Sequence, residues 1–163
     1  MLRRLATALT VGLLSTTGVA LAGPAQAVNI GNEGCTPGYW KNHPESWQEA
    51  GRAAPNTPLT YDHPSTAFDP FAPTFDLDGD GDADTFLDAL NYKGGSGVAG
   101  AERILLRAAV AAWLNAAHEG VGYPLRRAAL VAEVNAAIAS GDRQTMLALA
   151  AELDRLNNLG CPL

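Results

Sequence analysis

From Ala99 to Ala117 the bulky apolar residues Leu106, Val110, Trp113 and Leu114 recur three and four positions apart, and Ala117 continues the row. That spacing places them on one stripe of a helix. Ile104, Leu105, Ala108, Ala109 and Ala112 make much of the remaining surface apolar or small, so this helix is expected to be the most buried. A second helix is predicted from Pro124 to Ser140, with Leu130, Val131, Val134, Ala137 and Ile138 on one face and Gly141 as its stop. A third follows Asp142 as its cap, aligns Met146, Leu149, Ala150, Leu153 and Leu156, and ends before Gly160. The shorter apolar segment Thr85 to Leu90 predicts one more helical turn, capped by Asp84, and the glycines between 94 and 100 part it from the long helix. Three such stripes bury one another in a compact bundle, and the small alanines allow close approach. Each buried Leu or Ile contributes roughly 1.5 to 3 kcal/mol.

Residues 28–84 carry no comparable period. Seven of the 10 prolines fall between Pro37 and Pro73, which argues against long helices there. Thr36-Pro37-Gly38-Tyr39 has the chemistry of a type II turn, and Pro44 is placed to open a short helix reaching about Ala50. The fold class expected is therefore mainly α, a small helical bundle behind an irregular, proline-rich N-terminal half.

The first 27 residues read differently. Arg3 and Arg4 precede an apolar stretch from Leu5 to Leu21 and then the small residues Ala25 and Ala27, the order of parts in a cleavable signal peptide. Cleavage is expected to leave Val28 first and a single secreted domain over residues 28–163. The stretch approaches the roughly 17 to 25 residues that span a bilayer, but Thr7, Thr10, Ser15, Thr16 and Thr17 dilute it. No later segment is long and apolar enough to span. In an oxidising compartment the two cysteines, Cys35 and Cys161, are expected to pair and tie the ends of the domain together. Such a closure stabilises by roughly 2 to 4 kcal/mol.

Losing Arg3 and Arg4 takes Lys+Arg from 11 to 9 against 17 Asp+Glu, a net charge of −8. A nucleic-acid partner is not expected, because phosphate binding relies on clustered Lys and Arg. The acidic charge is concentrated in Asp76-Leu77-Asp78-Gly79-Asp80-Gly81-Asp82-Ala83-Asp84, the strongest chemical signal in the chain. Calcium takes about six to eight oxygens, and alternate carboxylates around a glycine turn supply several from one loop. Asp76, Asp78 and Asp80 are expected to donate side chains, Asp82 its carbonyl, and Asp84 a carboxylate or a water contact. The DxDxDG pattern resembles the calcium loops of dockerins, thrombospondin-type repeats and integrin-like propellers. It departs from an EF-hand where Leu87 stands in place of the closing Glu, with Asp88 a substitute one residue later. The plain alternative is a solvated acidic linker.

Tyr39, Trp40 and Trp47 crowd around Lys41, His43 and Glu45. Exposed, Tyr39, Trp40, His43 and Trp47 make a ligand surface able to stack on sugar rings; buried, the rings are core, which is the plainer expectation. The histidines His43, His63 and His118 belong to no HExxH, and Gly94-Gly95-Ser96-Gly97-Val98 lacks the last glycine of GxSxG. No P-loop or paired CxxC occurs.

The run Cys35 to Trp47, CTPGYWKNHPESW, with the segment FLDALNYKGGSGVAGAERILLRAAVAAWLNAAH from Phe86 and the ending GCPL, resembles a module found in exported bacterial proteins. The resemblance covers nearly the whole mature chain. It implies export and a single domain, and it supplies no catalytic residues. The expected function is a secreted, non-catalytic module stabilised by calcium and directed at an extracellular or cell-surface partner. The alternatives are a secreted hydrolase pairing one of the histidines with an acid, and a carbohydrate-binding module using Tyr39 and Trp40.

Overall fold

The computed structural model describes residues 31–47 and 76–163. The predicted signal peptide, most of the proline-rich segment and His63 lie outside the described residues. Among the described residues five α-helices follow one another: α1 Pro37–Asn42, α2 Phe86–Asn91, α3 Gly97–Ala117, α4 Arg127–Ala139 and α5 Arg143–Asn157. A 3-10 helix, Pro44–Trp47, lies between α1 and α2. Among the described residues no strand forms, and no helix is long and apolar enough to cross a membrane.

The long α3 is the axis. It packs against α1, α2, α4 and α5, and Leu105, Leu106, Ala109, Val110, Ala111, Ala112 and Leu114 are fully buried along it. Leu130 and Val134 of α4 and Met146 and Leu153 of α5 close the core from the other side. The alanines matter here because a small side chain lets two backbones approach closely.

Several boundaries differ from expectation. Thr36-Pro37-Gly38-Tyr39 is the entry of α1 and not a type II turn: the Thr36 hydroxyl accepts from the Tyr39 amide at 3.1 Å, and Pro37 takes the first helical position, where its missing N–H is no loss. Gly38 does not adopt the left-handed conformation that a type II turn demands at that place. The cap of α2 is Thr85, not Asp84. Thr85 and Asp88 form a reciprocal capping box, in which the Thr85 amide donates to Asp88 Oδ2 at 2.8 Å and the Asp88 amide to Thr85 Oγ1 at 3.3 Å. The second predicted helix starts at Arg127 and not Pro124, because Tyr123 is drawn inward to donate its hydroxyl to Asn157 at 2.9 Å. Asp142 caps α5 as expected, accepting from the Thr145 amide at 2.8 Å.

The two ends of the bundle are joined. Cys35 and Cys161 form a disulfide with Cα atoms 4.4 Å apart. Beside it the Gly34 amide donates to the Gly160 carbonyl at 3.0 Å, an isolated antiparallel bridge. Gly34 is required there: a Cβ would sit 2.2 Å from the Leu156 carbonyl oxygen. Glu33 extends the attachment, its amide donating to the Gly122 carbonyl at 3.0 Å while its carboxylate accepts from the Gly122 amide at 2.7 Å.

Under this clasp lies a polar knot. Asn115 of α3 and Asn157 of α5 are both fully buried. Asn115 Oδ1 accepts from the Cys35 amide at 2.8 Å and from Trp40 Nε1 at 3.1 Å. Its Nδ2 donates to the Cys35 carbonyl at 2.8 Å and to Asn157 Oδ1 at 3.0 Å, and Asn157 Nδ2 donates to the Ala108 carbonyl at 2.9 Å. All four hydrogen-bonding positions of the Asn115 amide are used. A buried amide costs heavily when unpaired, so a fully satisfied one fixes the position of everything it touches. Here it seats the N-terminal segment on α3 and α5.

Candidate metal centre

The aspartate loop folds back because Gly79 and Gly81 take positive φ, 83° and 96°, which disfavours side chains at these two positions. Each turn is held by a carboxylate accepting from an amide two or three residues on: Asp76 from Gly79 at 3.0 Å, Asp78 from Asp80 at 3.2 Å and Asp80 from Asp82 at 2.9 Å. The result gathers Asp76, Asp78 and Asp80, all exposed, with ligand oxygens within 4.8 Å of one another. Three carboxylates so placed can hold a metal ion. The donor set is hard oxygen throughout, which suits calcium or magnesium better than the nitrogen and sulfur preference of zinc.

The six aspartates named from the sequence thus divide. Asp76, Asp78 and Asp80 come together, and Asp82, expected to offer a carbonyl, is exposed beside them. Asp84 is buried at 3% exposure, where its carboxylate accepts from the Leu77 amide at 2.5 Å. Asp88 is committed to the capping box of α2, and the Thr85 hydroxyl also donates to its Oδ2 at 2.6 Å. Arg103 of α3 reaches the same end of the loop, donating from Nη1 to the Leu77 carbonyl at 2.8 Å. Leu77 is therefore gripped through both its amide and its carbonyl.

Charge is poorly settled in this loop. The hydrogen bond from the Asp80 amide favours ionised Asp78, but desolvation and the negative charges of Asp84, Asp80 and Asp88 together outweigh it and raise the Asp78 pKa. Like-charged neighbours disfavour the ionised form in this way.

The aromatic segment is mostly core. Trp40 and Trp47 are buried at 0% and 1% exposure, which removes both as stacking faces for a sugar. Trp47 Nε1 donates to the Trp40 carbonyl at 2.9 Å. Tyr39 is half-buried, edge-on to Trp40 with centroids 5.4 Å apart, and His43 stacks on Tyr39 at 4.3 Å. His43 Nδ1 lies 2.8 Å from Glu45 Oε1 at the surface. His118 is buried against Trp40, with ring centroids 5.9 Å apart, and its Nδ1 accepts from the Gly120 amide at 3.0 Å.

Sequence reasoning missed Asn115 and Asn157, and with them Arg103 at the base of the loop. The one signal available was a polar residue inside an apolar row, Asn157 lying four positions after Leu153 and seven after Ala150.

No family model matches the chain, and no curated protein or solved structure matches it. Fold and site by themselves define a helical, disulfide-closed protein with a three-carboxylate cluster able to hold a metal ion.

Proposed function

We propose that this protein is a secreted, non-catalytic structural or interaction module that binds calcium at Asp76, Asp78 and Asp80 and meets an extracellular or cell-surface partner. The observation that carries this reading is the approach of those three carboxylates on a loop fastened at Leu77 to the bundle. A disulfide is compatible with an oxidising compartment, and the resemblance of the Cys35 to Trp47 run to exported bacterial proteins points the same way. Calcium acts on stability: it neutralises a repelling cluster and fixes the direction in which the chain enters α2. Extracellular calcium modules commonly bind at about 0.1 to 1 mM, and ten times the dissociation constant adds only about 1.4 kcal/mol.

Calorimetry and thermal unfolding in calcium, in magnesium and in chelator test the reading. A calcium-dependent rise in Tm that disappears in Asp78→Ala with Asp80→Ala supports it. A wild-type protein indifferent to millimolar calcium in both measurements makes the loop an acidic linker. A hydrolase is the second reading, favoured by the His43–Glu45 pair, in which a carboxylate orients an exposed imidazole. Turnover of ester, amide or glycoside substrates that His43→Ala abolishes would replace the first reading with this one.

A further inference from the structure

The Cys35–Cys161 disulfide has two unequal ends. Cys35 is fully buried in the core with Trp40, whereas Cys161 belongs to an exposed run from Gly160 to Leu163. A thiolate that opens a disulfide attacks one sulfur along the line of the bond, from the side opposite the sulfur that leaves, so access decides which sulfur is attacked. At Cys161 that side faces away from buried Cys35. At Cys35 the same approach would run through the core.

The two ends also differ in what else holds them. The Cys35 amide donates to Asn115 Oδ1 and its carbonyl accepts from Asn115 Nδ2, both at 2.8 Å. The residues before it are fastened by the Gly34 amide on the Gly160 carbonyl and the Glu33 amide on the Gly122 carbonyl, and Trp40 after it by its indole on Asn115. Among the described residues no hydrogen bond holds Cys161, Pro162 or Leu163. Breaking the S–S bond therefore frees three residues at the C-terminus and leaves the N-terminal segment seated.

We propose that Cys161 is a thiol-exchange site: it takes up a low-molecular-weight thiol as a mixed disulfide while Cys35 stays in its seat as a thiol. The incoming thiolate attacks Cys161 Sγ, and a new S–S bond forms there as the bond to Cys35 breaks. The electron pair of the broken bond leaves on Cys35 Sγ, which then takes a proton. One disulfide replaces another, so the step consumes no outside oxidant or reductant. The reverse follows the same path, since Asn115 keeps Cys35 where it can attack Cys161 and expel the thiol. The clasp opens and resets without loss of the N-terminal seat. Nothing in this proposal depends on the calcium reading.

The test begins with Cys35→Ser and Cys161→Ser, each of which leaves one cysteine, in the full mature chain. Thermal unfolding shows whether each is folded, and dithiobis(nitrobenzoate) reads the rate of the remaining thiol in buffer and in urea. The Cys161 thiol is expected to react in buffer within about threefold of its rate in urea. The Cys35 thiol is expected to react at least about 100-fold more slowly in buffer than in urea, because it must wait for local opening. In Cys161→Ser the Cys35 amide should remain protected from hydrogen exchange. A second measurement needs neither variant: wild type is treated with reduced glutathione, quenched in acid and peptide-mapped, and the adduct is expected on Cys161. The proposal is overturned if the adduct falls on Cys35 or is shared evenly, if the two single thiols react at similar rates in the folded variants, or if the Cys35 amide loses its protection.

Discussion

Around Asn115 every polar position finds a partner within the chain, while around Asp78 the polar groups are mostly of one sign and push one another apart. The first cluster is fully buried and ties residues far apart in sequence; the second is exposed and bonds only to amides two or three residues along. Polar groups that satisfy each other internally specify a fold. Like-charged groups gathered at the surface specify no such contacts and stay open to a counter-ion. The same contrast separates two exposed carboxylates: hydrogen bonds from the Thr145 hydroxyl and amide lower the Asp142 pKa, whereas that of Asp78 is raised.

Substitution should separate the two clusters. Asn115→Ala strands the Cys35 backbone, Trp40 Nε1 and Asn157 in the core, and is expected to cost about 3 to 5 kcal/mol by denaturant unfolding. Where the variant is still folded, its response to added calcium should match that of wild type; a difference would mean that the two regions act as one. Replacing Cys35 and Cys161 together with serine should cost about 2 to 4 kcal/mol, again without effect on calcium. Thr85→Ala, which removes one half of the capping box between loop and α2, should cost about 1 kcal/mol in thermal unfolding.

The smallest effect concerns pH. Because its folded pKa is depressed, Asp142 contributes stability that is fully present above the ordinary carboxylate range and is lost as pH falls through its folded value. An acid titration of Tm should therefore show wild type approaching Asp142→Ala at low pH and exceeding it at neutral pH. A constant gap across the titration would show that the carboxylate charge plays no part in the cap.

The helices were legible because α3, α4 and α5 each bury a stripe whose period survives in the sequence; Leu130, Val134 and Ala137 are the buried face of α4 as spacing predicts. The cysteine pairing was legible because only one pairing exists. The entry of α1 was misread because Pro-Gly favours a turn locally, yet Thr36 as a cap and Trp40 anchored on Asn115 favour a helix. The polar knot left almost no trace, since its bonds join residues 80, 75 and 42 positions apart and no local pattern encodes such a meeting. In the loop, the clustering of Asp76, Asp78 and Asp80 followed from alternation around glycine. The separate uses of Asp84 and Asp88 depended on Leu77 and Thr85, whose backbone demands appear only once the chain has folded.

The clasp that joins Gly34 to Gly160 and Cys35 to Cys161 also sets an order of events in time. A ribosome makes the chain from its N-terminus, so Cys35 and Trp40 exist long before Asn115, Asn157 and Gly160 are there to receive them. Until then Trp40, which ends at 0% exposure, lacks the Asn115 acceptor of its indole N–H. The surface that receives the N-terminal segment is complete only when α3 and the final turn of α5 are paired. Contacts spanning so much of the sequence close slowly, because the entropy of the intervening loop is lost before any contact is gained.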